Sequence, residues 1–145
     1  MTTPIPQNAL LYQTWWVLAA GLKAQALRAR VAAQNFVNAE SVGSAPEDTP
    51  YKRQQIIIRA AQDKETGTIY PEVSKIMDDP RPPRMRYLPG HPAADDNGMV
   101  PFPRINRPFE LTDFQNAHIV TSGAGQLYKT ATSMVAATHQ LMRSA

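Results

Sequence analysis

NALLYQTWWVLAAGLKAQALRARVAAQNFVN, residues 8–38, is the stretch that decides the architecture. No proline interrupts it and glycine occurs once, at Gly21. Its apolar residues fall at Leu11, Trp15, Leu18 and Leu22, then at Ala29, Ala32, Phe36 and Ala39. These are steps of three, four and seven, broken only at Gln25. Residues three and four apart share one helix face, and a sustained seven-residue repeat is the pattern of helices packed side by side. The stretch predicts a long helix with a heptad seam.

The other end of the chain reads the same way. Asp113 is placed to cap a helix, and Ala117, Val120, Ala124, Leu127, Ala131, Met134, Thr138 and Leu141 follow in three-four alternation. Tyr128, Val135 and Met142 form a second stripe that widens the apolar face. Gly123 and Gly125 flank Ala124, where they either weaken the helix or admit a close neighbour.

Between the helices the composition changes. Most of the 13 prolines lie there, in Asp79-Pro80-Arg81-Pro82-Pro83, Pro89-Gly90-His91-Pro92 and Pro101-Phe102-Pro103. Strand-like runs occupy Gln54–Arg59, Thr68–Met77, Met85–Leu88 and Met99–Phe102, with turn signals at Thr66-Gly67 and Asp96-Asn97-Gly98. The expected fold is α+β: two long terminal helices packed as a coiled-coil hairpin, with a small β-rich unit inserted between them. Residues 1–7 read as a flexible leader, 8–43 with 110–145 as a helical assembly core, and 44–109 as the β-rich middle domain.

Composition excludes several functions. The chain has no cysteine, which removes disulfides, thiolate metal sites and thiol nucleophiles. Its net charge is +3, yet residues 45–110 balance ten basic against ten acidic side chains. Scattered charge of this kind does not make a phosphate-binding face, so no nucleic acid is expected. The longest apolar run, Trp15 to Leu22, is too short to span a bilayer, and no basic region precedes Lys23 as in a cleavable secretory signal.

No constellation for catalysis emerges. His118 and His139 share a helix face about 31 Å apart, too far to bind one metal. His91 sits between prolines, where a turn role is expected. Asp78-Asp79 and Asp95-Asp96 lack calcium-loop spacing, and Ser122-Gly123-Ala124-Gly125 follows no strand. No catalytic residue, cofactor or metal is expected.

The helices carry the positive signal. From Asp113 onward only Asp113, Lys129 and Arg143 bear fixed charge, where a solvated helix face would carry many more. Helices apolar or small-polar nearly all round belong among other helices. The expected assembly residues are Leu11, Trp15, Leu18, Leu22, Asn35 and Asn38 on the first helix, and Ala124, Leu127, Ala131, Met134 and Leu141 on the last. Asn35 and Asn38 also fit helix capping, or side-chain bonds that fix the turn into the β unit. The alternative reading is a soluble helical-hairpin module that docks a partner helix.

Several motifs support assembly. Ala19-Ala20-Gly21-Leu22-Lys23-Ala24-Gln25, Arg28, and Val31 through Ala39 resemble the N-terminal signature of bacterial flagellar rod and hook proteins. Pro50-Tyr51-Lys52-Arg53, Tyr87 through Asp95, Asp96-Asn97-Gly98-Met99-Val100 with Pro103, Glu110-Leu111 and Ala131-Thr132-Ser133-Met134 are similar to segments of the short proximal-rod members. At Ala117–Ala124 the arginine, tyrosine and asparagine of the family pattern are absent. The resemblance implies a non-enzymatic structural subunit of the basal-body rod. Such subunits assemble helically into a hollow drive shaft that crosses the periplasm and transmits torque for motility. The implied partners are copies of itself, other rod proteins of the FlgB, FlgF, FlgG and FliE types, and the flagellar type III export apparatus, which uses no cleaved signal.

Overall fold

The structure, a computed structural model, describes the backbone of residues 7–144 and the side chains of residues 12–137, 140 and 143. Helix α1 spans Gln7–Val37 and helix α2 spans Arg107–Ser144. Between them lie β1 (Gln54–Gln62), β2 (Ile69–Asp78), β3 (Arg84–Tyr87) and β4 (Met99–Phe102). Within the described residues, the expected leader overlaps the helix only at Gln7.

The two helices run antiparallel. Asn35 meets Glu110, Arg28 meets Asp113, and Trp15 meets Tyr128, so numbers rise along α2 as they fall along α1. The register corrects one detail of the heptad reading. The seam that faces α1 passes through Glu110, Ala117, Thr121, Ala124, Tyr128, Ala131 and Val135, which are buried or half-buried. Val120, Leu127 and Met134 lie about a quarter turn away and are exposed. Tyr128 and Val135, expected to widen the face, are thus part of the seam itself, while the side chain of Met142 lies outside the described residues.

Helix α2 also begins six residues before Asp113. Pro108 sits in its first turn, where a missing N–H costs nothing, and the Asn106 carbonyl accepts a bond from the Glu110 amide. Apolar periodicity does not show this start because the first seam residue is a glutamate. At the end of α1, Asn38 closes the helix through its side chain, whose Nδ2 donates to the Gln34 carbonyl at 2.9 Å. No described non-glycine residue has positive φ, so Asn38 does not use the left-handed conformation.

The β unit is two separate antiparallel ribbons. β1 pairs with β2 from Gln54↔Asp78 to Gln62↔Ile69, with an irregularity at Ile57/Ile58. Asp63 organises the connecting turn by accepting bonds from Glu65 N, Thr66 N and Thr66 Oγ1, and Gly67 supplies the positive φ of 70°. This ribbon lies along α1, where Gly21 leaves room for Pro71 and Trp16 meets Tyr70 edge-on at 4.2 Å. β3 pairs with β4, and Ala93, Val100 and Phe102 form a small core beneath them with Val42 and Ala94. Gly98 has φ 74°, and a Cβ there would lie 2.9 Å from the Tyr87 ring, so only glycine fits.

Candidate functional site

Besides the packing of the β1–β2 ribbon along α1, a buried polar network centred on Asn35 ties the β unit to the helical hairpin. Asn35, in the last turn of α1, is 1% exposed. Its Nδ2 donates to the Gln54 carbonyl at 2.9 Å and to Glu110 Oε2 at 3.0 Å. Its Oδ1 accepts from the Gln54 amide at 2.8 Å and from the Tyr51 hydroxyl at 3.1 Å. Two donor hydrogens and two acceptor sites are all satisfied, as burial of an amide requires. Glu110 Oε1 accepts from Arg53 Nε at 2.6 Å, so this buried carboxylate is paired with both arginine and amide. Burial and the nearby carboxylates of Asp78 and Glu110 hold the Tyr51 hydroxyl above its ordinary pKa, so it stays a donor. Asn35 therefore acts inside the chain, joining α1, the entry to β1 and the first turn of α2.

The bracing extends outward. The Asp79 amide donates to the Arg53 carbonyl at 2.7 Å, and the Asp79 carboxylate binds the Arg81 side chain and amide. Those bonds lower the Asp79 pKa to about 2. On the helices, Arg28 and Asp113 pair at 3.0 Å, both partly exposed.

Further along the hairpin the character changes. Trp15 stacks on Tyr128 at 5.1 Å, and its Nε1 is buried without a hydrogen-bond partner among the described residues. Leu18, Leu22, Ala124 and Ala131 are half-buried, as is Asn38. Leu11 and Leu141 lie in the helices, with side chains outside the described residues. Leu127 and Met134 are 65% and 66% exposed. Phe109, Ile119 and Val120 add to this outward apolar surface. Phe109, Val120 and Leu127 are spaced eleven and seven residues apart, close to whole numbers of turns, so they form one stripe. A Cβ added at Gly123 or Gly125 would meet nothing within 4 Å among the described residues beyond the local helix backbone.

No family model matches the chain. Individual relatives do. It is 31% identical over 128 residues to the flagellar basal-body rod protein FlgC of Agrobacterium fabrum, covering 88% of this chain and 92% of the relative. FlgC of Yersinia enterocolitica is 32% identical, with 87% of this chain and 88% of the relative covered. FlgC of Salmonella typhimurium is 33% identical, with 70% and 75% covered. The chain belongs to the FlgC family of flagellar basal-body rod proteins.

Family membership carries a structural role in the flagellar basal body. Two histidines of this rod protein, His91 and His118, have local structural contacts. His91 Nδ1 accepts from the Ala93 amide at 3.0 Å, shaping its own turn, and His118 stacks near Phe114 at 6.0 Å. Asp95 Oδ1 accepts from the Asn97 and Met99 amides within the next turn. Among the described residues no three His, Asp or Glu side chains are grouped to hold a metal, and no helix is long and apolar enough to cross a membrane. Glu110 and Arg53, two of the five residues in the central network, stand in the sequence only within segments similar to the proximal-rod members, with no inward role assigned. A charged residue one turn into a helix gives no periodic signal that it turns inward.

Proposed function

We propose that this rod protein is a subunit that assembles helically through helix faces its own fold leaves uncovered. Copies of it and neighbouring rod proteins of the FlgB, FlgF, FlgG and FliE types complete those faces. Together they form the hollow shaft that crosses the periplasm and transmits torque, after delivery by the flagellar type III export apparatus. The observation that carries this reading is the outward stripe of α2. Phe109 is 70% exposed, Leu127 65% and Val120 50%, on a helix with almost no compensating charge. An apolar stripe along a helix gains stability only when other surfaces remove it from water. The Asn35 network supports the same reading from inside, because it holds the β unit at a set orientation on the hairpin.

Leu127→Asp tests the proposal. The side chain points away from α1, so the purified variant should melt within about 2 °C of the parent chain. A buried, unpaired charge repeated in every subunit should stop rod formation and motility. Normal basal bodies in the variant strain, seen by electron microscopy, would refute the proposal. A collapsed monomer would refute the exposed placement of Leu127.

A further inference from the structure

Seven of the ten arginines form two sets. Arg28, Arg53, Arg59 and Arg81 each place a guanidinium nitrogen on a carboxylate, at Asp113, Glu110, Glu72 and Asp79 respectively. Arg84, Arg86 and Arg107 donate no hydrogen bond within the described chain. Glu40, 67% exposed and 3.7 Å from Arg107, is the one carboxylate that reaches any of them.

These three arginines come together in the lining of one groove of about 320 Å³, between the β3–β4 ribbon and the start of α2. The convergence follows from local structure. Arg84 and Arg86 alternate on β3 and so share a face, opposite Phe102 and Val100 in register. Arg107 opens α2. Two of the three are supported by aromatic rings: Arg86 lies 4.6 Å from the centre of Phe102, and Arg107 lies 4.7 Å from that of Phe36. A guanidinium stacked on a ring keeps its in-plane N–H donors free and loses less freedom when it binds. Buried Ile105 and Phe102 with Pro103 and Pro108 supply an apolar lining between the charges.

We infer that this groove is a docking site for an acidic segment of another protein, whose carboxylates pair with Arg84, Arg86 and Arg107. Three cations face one weakly held carboxylate, so the groove is complementary to negative charge. The guanidinium fork matches a carboxylate bidentately. Arginine beside aromatic and proline surface is the composition of a protein-binding centre. A nucleic-acid track would need basic charge along an extended face. Here Arg53 and Arg81 are matched by carboxylates and Arg104 donates to the Pro82 carbonyl, which leaves the free charge as a short cluster in one groove. The site uses other residues than the α2 stripe and does not depend on the assembly proposal.

The test is titration of the full chain with a hexaglutamate peptide at low salt, followed by nitrogen-15 NMR. Saturable shifts should cluster at residues 84–86, 102–107 and 39–40, and weaken steeply as salt is raised. Arg84→Gln combined with Arg86→Gln should weaken binding at least about tenfold. Arg84→Gln alone, which removes no intrachain bond, should weaken it measurably with an unchanged melting temperature. Glu40→Gln should tighten binding, because it removes the competing carboxylate. Lys52→Gln with Lys75→Gln serves as a charge-matched control and should leave affinity unchanged. Absence of saturable shifts, equal losses in the lysine control, or tighter binding of a DNA duplex or phosphatidylglycerol vesicles would each overturn the inference.

Discussion

At the Asn35 end of the hairpin, Val31, Ala32, Asn35, Glu110 and Ala117 are almost sealed from solvent. At the Trp15 end, none of residues 12–23 or 118–137 is fully buried. Both ends belong to the same pair of helices, so helix formation does not explain the difference. The Asn35 end has a third body to pack against, the entry to β1, and a polar network that specifies one arrangement of all three. The Trp15 end has one helix against one helix, and the β1–β2 ribbon touches only the α1 side. Two helices in contact leave much of each surface uncovered, and here the uncovered part includes Ile119, Val120, Leu127 and Met134. One end is a joint braced by a buried network, while the other leaves apolar side chains in solvent.

The strongest way to break that comparison is to put a second carboxylate into the joint. Asn35→Asp would replace the amide that donates to Glu110 and Gln54, leaving two carboxylates face to face in a buried site. We expect a loss of about 3–5 kcal/mol at neutral pH, enough to lower the melting temperature by about 10 °C or more. The loss should shrink in acid as the introduced carboxyl takes up a proton. Circular dichroism melts at two pH values check both points. A melting temperature within a few degrees of the parent chain would remove the special status of this end.

Hydrogen exchange sharpens the comparison without mutation. Amides of residues 28–37 and 110–117 should exchange at least about tenfold more slowly than those of 118–137. Equal protection along α2 would show that the far end is as stable alone as the joint. Acid gives an intermediate effect. The Arg81 bonds lower the Asp79 pKa to about 2, below its ordinary value of 3.8. A depressed carboxylate stabilises the fold above its unfolded pKa, and that contribution disappears as the pH falls through its folded one. Stability should therefore decline between about pH 4 and pH 2, and Asp79→Asn should flatten that part of the melting-temperature profile.

The smallest effect is expected at the open end. Gly123→Ala and Gly125→Ala meet no atom within 4 Å, so each should stabilise the isolated helix by up to about 1 kcal/mol. If the same substitutions impair motility, the glycines admit a neighbouring subunit. If motility is unaffected, they are only weak points of α2.

The four strands and both helices were legible because prolines, turn residues and heptad spacing mark them independently. The choice of seam on α2 was not. Val120, Leu127 and Met134 repeat every seven residues, and so do Thr121, Tyr128 and Val135. Periodicity shows that such stripes exist and not which one its own partner helix covers. What decides it is the aromatic match of Tyr128 to Trp15, a contact across 113 residues that a single sequence does not reveal. The start of α2 was hidden for a related reason, since Glu110 occupies a seam position that apolar patterning skips. The sequence marks Asn35 as a residue suited to fix the turn into the β unit, but not its pairing with Glu110, 75 residues away.

Trp15 and Trp16 are adjacent in sequence yet report on different contacts. The first indole stacks on Tyr128 of the partner helix, and the second meets Tyr70 on the ribbon. These are the only two tryptophans in the chain. Replacing either with phenylalanine leaves a single tryptophan, which can be excited selectively over the five tyrosines. Emission from Trp15 then follows separation of the two helices, and emission from Trp16 follows detachment of the ribbon. The protein thus carries two native optical probes, and stopped-flow unfolding can time the two events separately without an attached dye.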